Sequence, residues 1–205
     1  MTLDDALAET PIVAIIRGVR PEEAVAIGEA LYEAGVRVVE APLNSPEPLD
    51  SIRRLAEALG DRMVVGAGTV LRHELVTEVK AAGGRIIVTP NTNPSVIRRA
   101  VDEGLEPMPG FGTATEAFEA YDAGARRLKL FPASTYGTGH LKALLAVLPK
   151  DASVLAVGGA GPANMAEWRA AGAAGFGLGS ELYKPGQSPE ETLEKARAAV
   201  AAARG

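Results

Sequence analysis

Eight short β-rich runs recur along the chain with near-even spacing: IVAII (12–16), VRVVE (36–40), MVVGA (63–67), RIIVT (85–89), LEPMP (105–109), RLKLF (127–131), VLAVG (154–158) and FGLG (176–179). Between them lie PEEAVAIGEALYEAG, PEPLDSIRRLAEALG, HELVTEVKAAGG, NPSVIRRAVDEG, TATEAFEAYDAG and GPANMAEWRAAG, with apolar residues at helical spacing. Most of these open on Pro, Asn, Thr or an acid and close on Gly, the start and stop grammar of helices. Strands alternating with helices of this length must pair in parallel through right-handed crossovers. Eight such units predict an α/β fold, a closed (β/α)8 TIM barrel forming one domain over residues 1–205, with a doubly wound open sheet as the alternative. The fifth run is the weakest strand because it holds two prolines, which cannot donate to a ladder. A helix over about 3–9 is expected to plug the barrel floor, and EETLEKARAAVAAARG to form a C-terminal helix over its flank.

Composition narrows the chemistry. A chain of 205 residues with formal net charge -5 can bury one core and is a poor match for a nucleic-acid backbone. With no cysteine and only two histidines, a thiol nucleophile is excluded and a zinc centre has little to build on, so no metal or other cofactor is expected. The start MTLDDALAETP is acidic, and no apolar run is long enough to cross a bilayer, so no membrane contact and a cytoplasmic setting are expected.

Barrel chemistry sits where the strands end at their C-terminal rim. Read in order, those ends carry Arg17, Glu40, Gly68 with Thr69, Pro90 with Asn91, Gly110, Lys129, Gly158 with Gly159, and Gly179 with Ser180. Lys129 stands out, flanked by Leu128 and Leu130 in a strand that should be buried. If its side chain faces the lumen, desolvation and the nearby charge of Arg17 would depress its pKa and make it a nucleophile. If it faces outward, it snorkels to solvent. Glu40 would then be a proton relay beside that amine, or one half of a structural ion pair. Arg17 suits a planar anion such as a carboxylate or phosphate, unless it is a surface residue of the first loop. The glycine-rich ends after strands seven (Gly158, Gly159) and eight (Gly179, with Ser180) are the usual place for a phosphate held on backbone amides and a short helix, though tight turns use glycine too. GFG at 110–112 lacks the spacing of a dinucleotide fingerprint and reads as a turn; His73 and His140 read as surface residues and Trp168 as core.

The blocks AIIRG (14–18), VEAPLNSP (39–46), VGAGTVL (65–71), IVTPN (87–91), LKLFPAS (128–134), AVGG (156–159) and GLGSELY (177–183) occur in order over nearly the whole chain. Together they resemble the class I aldolases that cleave 2-keto-3-deoxy-6-phosphogluconate and its galactonate epimer. The resemblance implies that Lys129 condenses with the substrate ketone and that Glu40 shuttles protons. It also implies that Thr69 helps hold the pyruvate carboxylate, Pro90 and Phe131 wall the pocket, and Arg17 binds an anion. Gly158, Gly159, Gly179 and Ser180 then match the family's phosphate loops. Where the phosphogluconate enzymes carry a Thr before the paired glycines and an Arg four residues after the glutamate, this chain has Val157 and Asn44, and it looks like the phosphogalactonate branch. The implied reaction is retro-aldol cleavage of 2-dehydro-3-deoxy-6-phosphogalactonate to pyruvate and glyceraldehyde 3-phosphate by a homotrimer acting on a phosphorylated keto acid. The gluconate epimer or 4-hydroxy-2-oxoglutarate is the alternative substrate. Outside the family, the competing readings are a phosphosugar isomerase or synthase, or an inert phosphosugar-binding barrel.

Overall fold

A computed structural model describes residues 1–205. Its strands are β1 (Ile12–Ile15), β2 (Val38–Pro42), β3 (Val64–Gly68), β4 (Ile86–Val88), β5 (Glu106–Met108), β6 (Gly110–Phe111), β7 (Arg127–Leu130), β8 (Ser153–Val157) and β9 (Gly175–Leu178). All pairs are parallel, in the order β5-β4-β3-β2-β1-β9-β8-β7-β6. The two ends of that order are successive pieces of one stave on either side of Pro109, so the sheet closes into a barrel of eight staves.

The fifth strand forms inside LEPMP, over Glu106–Met108, and one expectation is corrected: Gly110–Phe111 is not a turn but the second half of the same stave, in register with Lys129 and Leu130. Pro109 has no N–H to give, but its carbonyl accepts from the Lys129 N–H at 2.9 Å, while Thr89 N–H reaches the Met108 carbonyl at 3.3 Å. The stave can jog there because Gly110 has no side chain: a Cβ would lie 2.4 Å from the Pro90 carbonyl carbon.

Helices α1 (Leu3–Glu9), α2 (Pro21–Glu33), α3 (Pro48–Leu59), α4 (Glu74–Ala81), α5 (Pro94–Asp102), α6 (Ala114–Asp122), α7 (Ala133–Leu145), α8 (Met165–Ala170) and α9 (Pro189–Arg204) fill the connections. Proline opens α2, α3, α5 and α9, where its missing N–H costs nothing, and capping boxes Thr2/Asp5 and Thr113/Glu116 open α1 and α6. α9 packs on α2 and α8, and Arg204 at its end donates to Thr10 Oγ1 at 3.1 Å, fastening the C-terminal helix to the foot of β1. No helix is long and apolar enough to cross a membrane.

Strand parity divides the buried residues into two cores. Residues such as Ile12, Ala14, Leu128, Leu130 and Trp168 join the large outer core between staves and helices. The opposite parity, including Val13, Ile15, Val38, Val64, Ile86 and Leu155, fills the lumen, and Leu3 and Ala6 of α1 join it from below. Asp4 of α1 and Glu106 of β5 both pair with Arg127, locking the plug to the barrel floor.

Lumenal space is tight enough that β3 carries glycine at both inward positions after Val64. At Gly66 a Cβ would sit 2.3 Å from the Ile86 carbonyl oxygen of the neighbouring stave, a backbone atom that cannot step aside. Gly66→Ala is therefore expected to destabilise the barrel by about 1–3 kcal/mol, the usual range for overpacking. Urea unfolding should show a lower midpoint at unchanged slope; an unchanged midpoint would contradict the close approach.

Candidate active site

Parity on β7 settles where Lys129 points. Leu128 and Leu130 belong to the outer core, so Lys129 faces inward, 8% exposed, and Glu40 on β2 faces it, 2% exposed. Both line a lumenal cavity of about 10 Å³, walled by Ile15, Met108, Leu155 and Val157 among others, room for about one water molecule. The two charges do not close into an ion pair: no nitrogen–oxygen contact within 4.0 Å joins them, and Glu40 Oε2 has no hydrogen-bond partner. The lysine nitrogen lies over the Phe131 ring, 4.7 Å from its centroid.

Electrostatics follow from this burial. Desolvation lifts the Glu40 carboxyl from its ordinary range to about 7, against the opposing pull of Lys129 and Arg17. Desolvation likewise depresses the Lys129 amine, with the Arg17 charge adding to the effect and Glu40 opposing it. The result is an amine biased toward its nucleophilic free base beside an acid poised to exchange protons near neutrality.

The carboxylate has its room because β3 ends in glycine. A Cβ at Gly68 would lie 2.0 Å from Glu40 Oε2, so any side chain there evicts the acid. The next residue, Thr69, takes φ 57, a left-handed backbone that a β-branched residue rarely adopts and that the site imposes.

Above the lumen opens a cleft of roughly 390 Å³ lined by Arg17, Val157, Gly158, Gly159, Gly179 and Ser180, which the sequence placed at three separate stave ends. Gly158 and Gly159 both have φ 85, and a Cβ at Gly159 would meet Ser134 at 2.5 Å, so this turn accepts glycine alone. No helix begins at once after either loop: α8 starts only at Met165, and Ser180 enters a turn in which its hydroxyl donates to Glu181 Oε2 at 2.7 Å. Lys184 lines the same cleft with no carboxylate within 4.0 Å. Sequence reading missed it because it lies six residues past the end of β9, and nothing local shows that the chain folds back.

Not every expected residue converges. Thr69 lines neither cavity but reaches the site through Arg17, whose Nη1 lies 3.4 Å from Thr69 Oγ1 and 2.5 Å from Asn44 Oδ1. Pro90 lines neither cavity and instead backs the Gly110 backbone. His73 is exposed as expected, whereas His140 is not a surface residue: it is half-buried, stacked on Tyr136, with Nε2 2.7 Å from the Gly112 carbonyl. Gly137, at φ 78, kinks α7 between those two rings and lets them stack.

Two outcomes are expected. Gly68→Ala should displace the Glu40 carboxylate from the lumen, visible in a crystal structure of the variant; an unmoved carboxylate would contradict the contact. Because Glu40 holds its proton more tightly folded than unfolded, the native state binds more protons between pH 4.5 and about 7. The Glu40 contribution to stability must therefore fall as pH rises through that window, and Glu40→Gln should flatten the slope in denaturation measured across it.

Residues 3–197 match the family model "KDPG and KHG aldolase". The 2-dehydro-3-deoxy-6-phosphogalactonate aldolase of Escherichia coli (strain K12) is 52% identical over 194 residues, 95% of each chain. A solved structure described as "Native KDPGal structure" superposes with TM-score 0.93 at 52% identity, covering 95% of this chain and 94% of the other. The KDPG aldolase of Legionella pneumophila, solved with pyruvate captured as a covalent carbinolamine intermediate, superposes with TM-score 0.86 at 26% identity over 98% of both chains. With its inward lysine, its buried acid and a match that spans nearly the whole barrel, the chain belongs to the KDPG and KHG aldolase family.

Proposed function

We propose that this protein is a class I aldolase that cleaves 2-dehydro-3-deoxy-6-phosphogalactonate to pyruvate and glyceraldehyde 3-phosphate. The observation that carries the reading is the pair of unpartnered ionisable groups, Lys129 and Glu40, facing one water-sized cavity beneath a glycine-lined cleft. The E. coli relative supports the choice of substrate, and the Legionella relative supports a covalent route.

The chemistry runs as follows. The free amine of Lys129 adds to the C2 ketone to give a carbinolamine, and loss of water gives an iminium. Glu40, as carboxylate, takes the proton of the C4 hydroxyl; the C3–C4 bond breaks, its electrons enter the iminium as an enamine, and the aldehyde leaves. Protonated Glu40 returns its proton to C3, and water hydrolyses the pyruvyl iminium to release pyruvate and regenerate the amine. Arg17 and Thr69 serve the carboxylate end, while Gly158, Gly159, Gly179 and Ser180 hold the phosphate so that the breaking bond lies over the lumen. Phe131 flanks the amine, and Pro90 backs the rim from behind Gly110.

Val157 ends β8 at the floor of the cleft, and Gly177 beside it must lack a side chain because a Cβ there would meet Val157 Cγ2 at 2.7 Å. A valine offers no hydrogen bond to the C4 hydroxyl, and this favours the galactonate epimer. Assembly into a homotrimer is part of the proposal, with exposed Leu71 and Phe118 as available apolar surface. Sedimentation should give three times 21.2 kDa.

Incubation with pyruvate and borohydride should add one reduced pyruvyl group to Lys129 in peptide mapping, and no adduct there would reject the mechanism. Glu40→Gln should lower kcat by roughly 10²–10⁴, the range for losing a general acid–base, while still permitting the adduct. Val157→Thr should move the kcat/KM ratio of the two epimers about tenfold toward the gluconate compound, the worth of one hydrogen bond. Faster gluconate turnover by the unaltered protein would overturn the epimer assignment.

A further inference from the structure

We propose that Asn44 is a positioning residue that aims the Arg17 guanidinium at the carboxylate end of the substrate, beside Thr69, and away from the phosphate end. The proposal rests on the aldolase reading above and adds to it how a chain with Asn44, and no arginine, four residues after Glu40 secures that carboxylate.

Arg17 is an exposed side chain on a loop, and it borders the large cleft where the phosphate is expected to sit. Left free, its guanidinium would serve either anion. Two features of the β2–α3 loop remove that freedom. Asn44 Oδ1 accepts from Arg17 Nη1 at 2.5 Å, and the same Nη1 stands 3.4 Å from Thr69 Oγ1, so the amide sets the head group toward β3. The adjacent Ser45, 8% exposed, accepts the Gly18 backbone N–H on its hydroxyl at 2.9 Å, fixing the backbone just beyond Arg17.

The opposite side is also closed. Gly18 has φ 80, and a Cβ there would sit 2.6 Å from Pro185 Cγ, so the turn is held between the β2 loop and the chain beyond β9. Asn44 is neutral, which lets Arg17 keep its full charge for a ligand; an acid in its place would compensate that charge. The substrate carboxylate is bonded to the carbon that joins Lys129, so a cation serving it must stand near the amine. Arg17 follows β1, whose Ile15 pairs with Glu40 on β2, and it borders the cleft together with Phe131, on whose ring the amine rests. Lys184, free of any carboxylate and lining the cleft, is left to serve the phosphate.

The test uses the condensation direction, in which pyruvate and glyceraldehyde 3-phosphate are varied separately. Asn44→Ala, an exposed position whose loss should leave the melting temperature unchanged, is expected to raise the KM for pyruvate about tenfold. It should leave kcat within twofold and the KM for glyceraldehyde 3-phosphate unchanged. Asn44→Asp should also raise the pyruvate KM, through charge compensation. In an Arg17→Ala background, Asn44→Ala should add no more than a twofold change, because Asn44 acts through Arg17. A rise confined to the aldehyde KM, no change in either KM, or a full additional effect in the Arg17→Ala background would overturn the proposal. Absence of condensation by the unaltered protein would instead overturn the aldolase reading on which it rests.

Discussion

A lysine and a glutamate share the lumen of this barrel without neutralising each other, and most of the local architecture serves that unstable arrangement. Burying either charge alone is costly, and a direct ion pair would recover part of the cost while removing both groups from chemistry. Here the apolar walls supply the desolvation that moves both titrations toward neutrality, and the gap between the groups leaves space for a reacting carbon. The barrel floor is closed by α1, which packs Leu3 and Ala6 under the lumen and is fastened there by the Asp4–Arg127–Glu106 set.

The glycines near the rim are best understood through that arrangement. Gly68 gives Glu40 its volume, and Gly177 gives Val157 its place. Gly158 and Gly159 turn the chain in a conformation other residues resist. Three polar residues at the rim are held by a constrained backbone or a partner, Thr69 by its left-handed φ, Arg17 by Asn44 and Ser180 by Glu181, while Lys184 is left without a carboxylate partner. The site is thus preorganised by backbone geometry more than by a hydrogen-bond network around the reacting groups.

The parts of this design that depend on period are legible in the sequence. Alternating runs reveal the barrel, and parity within RLKLF makes Lys129 either lumenal or outward with nothing in between; the packing of Leu128 and Leu130 against the helices decides for the lumen. The acid at the end of VRVVE and the glycine-rich stave ends could be placed at the same rim by counting staves. Contacts between loops could not be read, because Arg17 meets Asn44 and Thr69 across 27 and 52 residues of chain. The jog at Pro109 was hidden because a proline-flanked glycine looks like a turn until a neighbouring stave supplies partners. His140 misled for a related reason: its burial depends on the kink at Gly137 and on a carbonyl 28 residues away.

A crystal structure of the protein with pyruvate reduced onto it tests the account most directly. The account expects continuous density from Lys129 Nζ to the pyruvyl C2, the carboxylate turned to Thr69 and Arg17, and Glu40 within hydrogen-bonding distance of the former ketone carbon's substituents. Density on another lysine, or a pyruvyl carboxylate lodged at Gly158 and Gly159 with Glu40 remote from it, would contradict it.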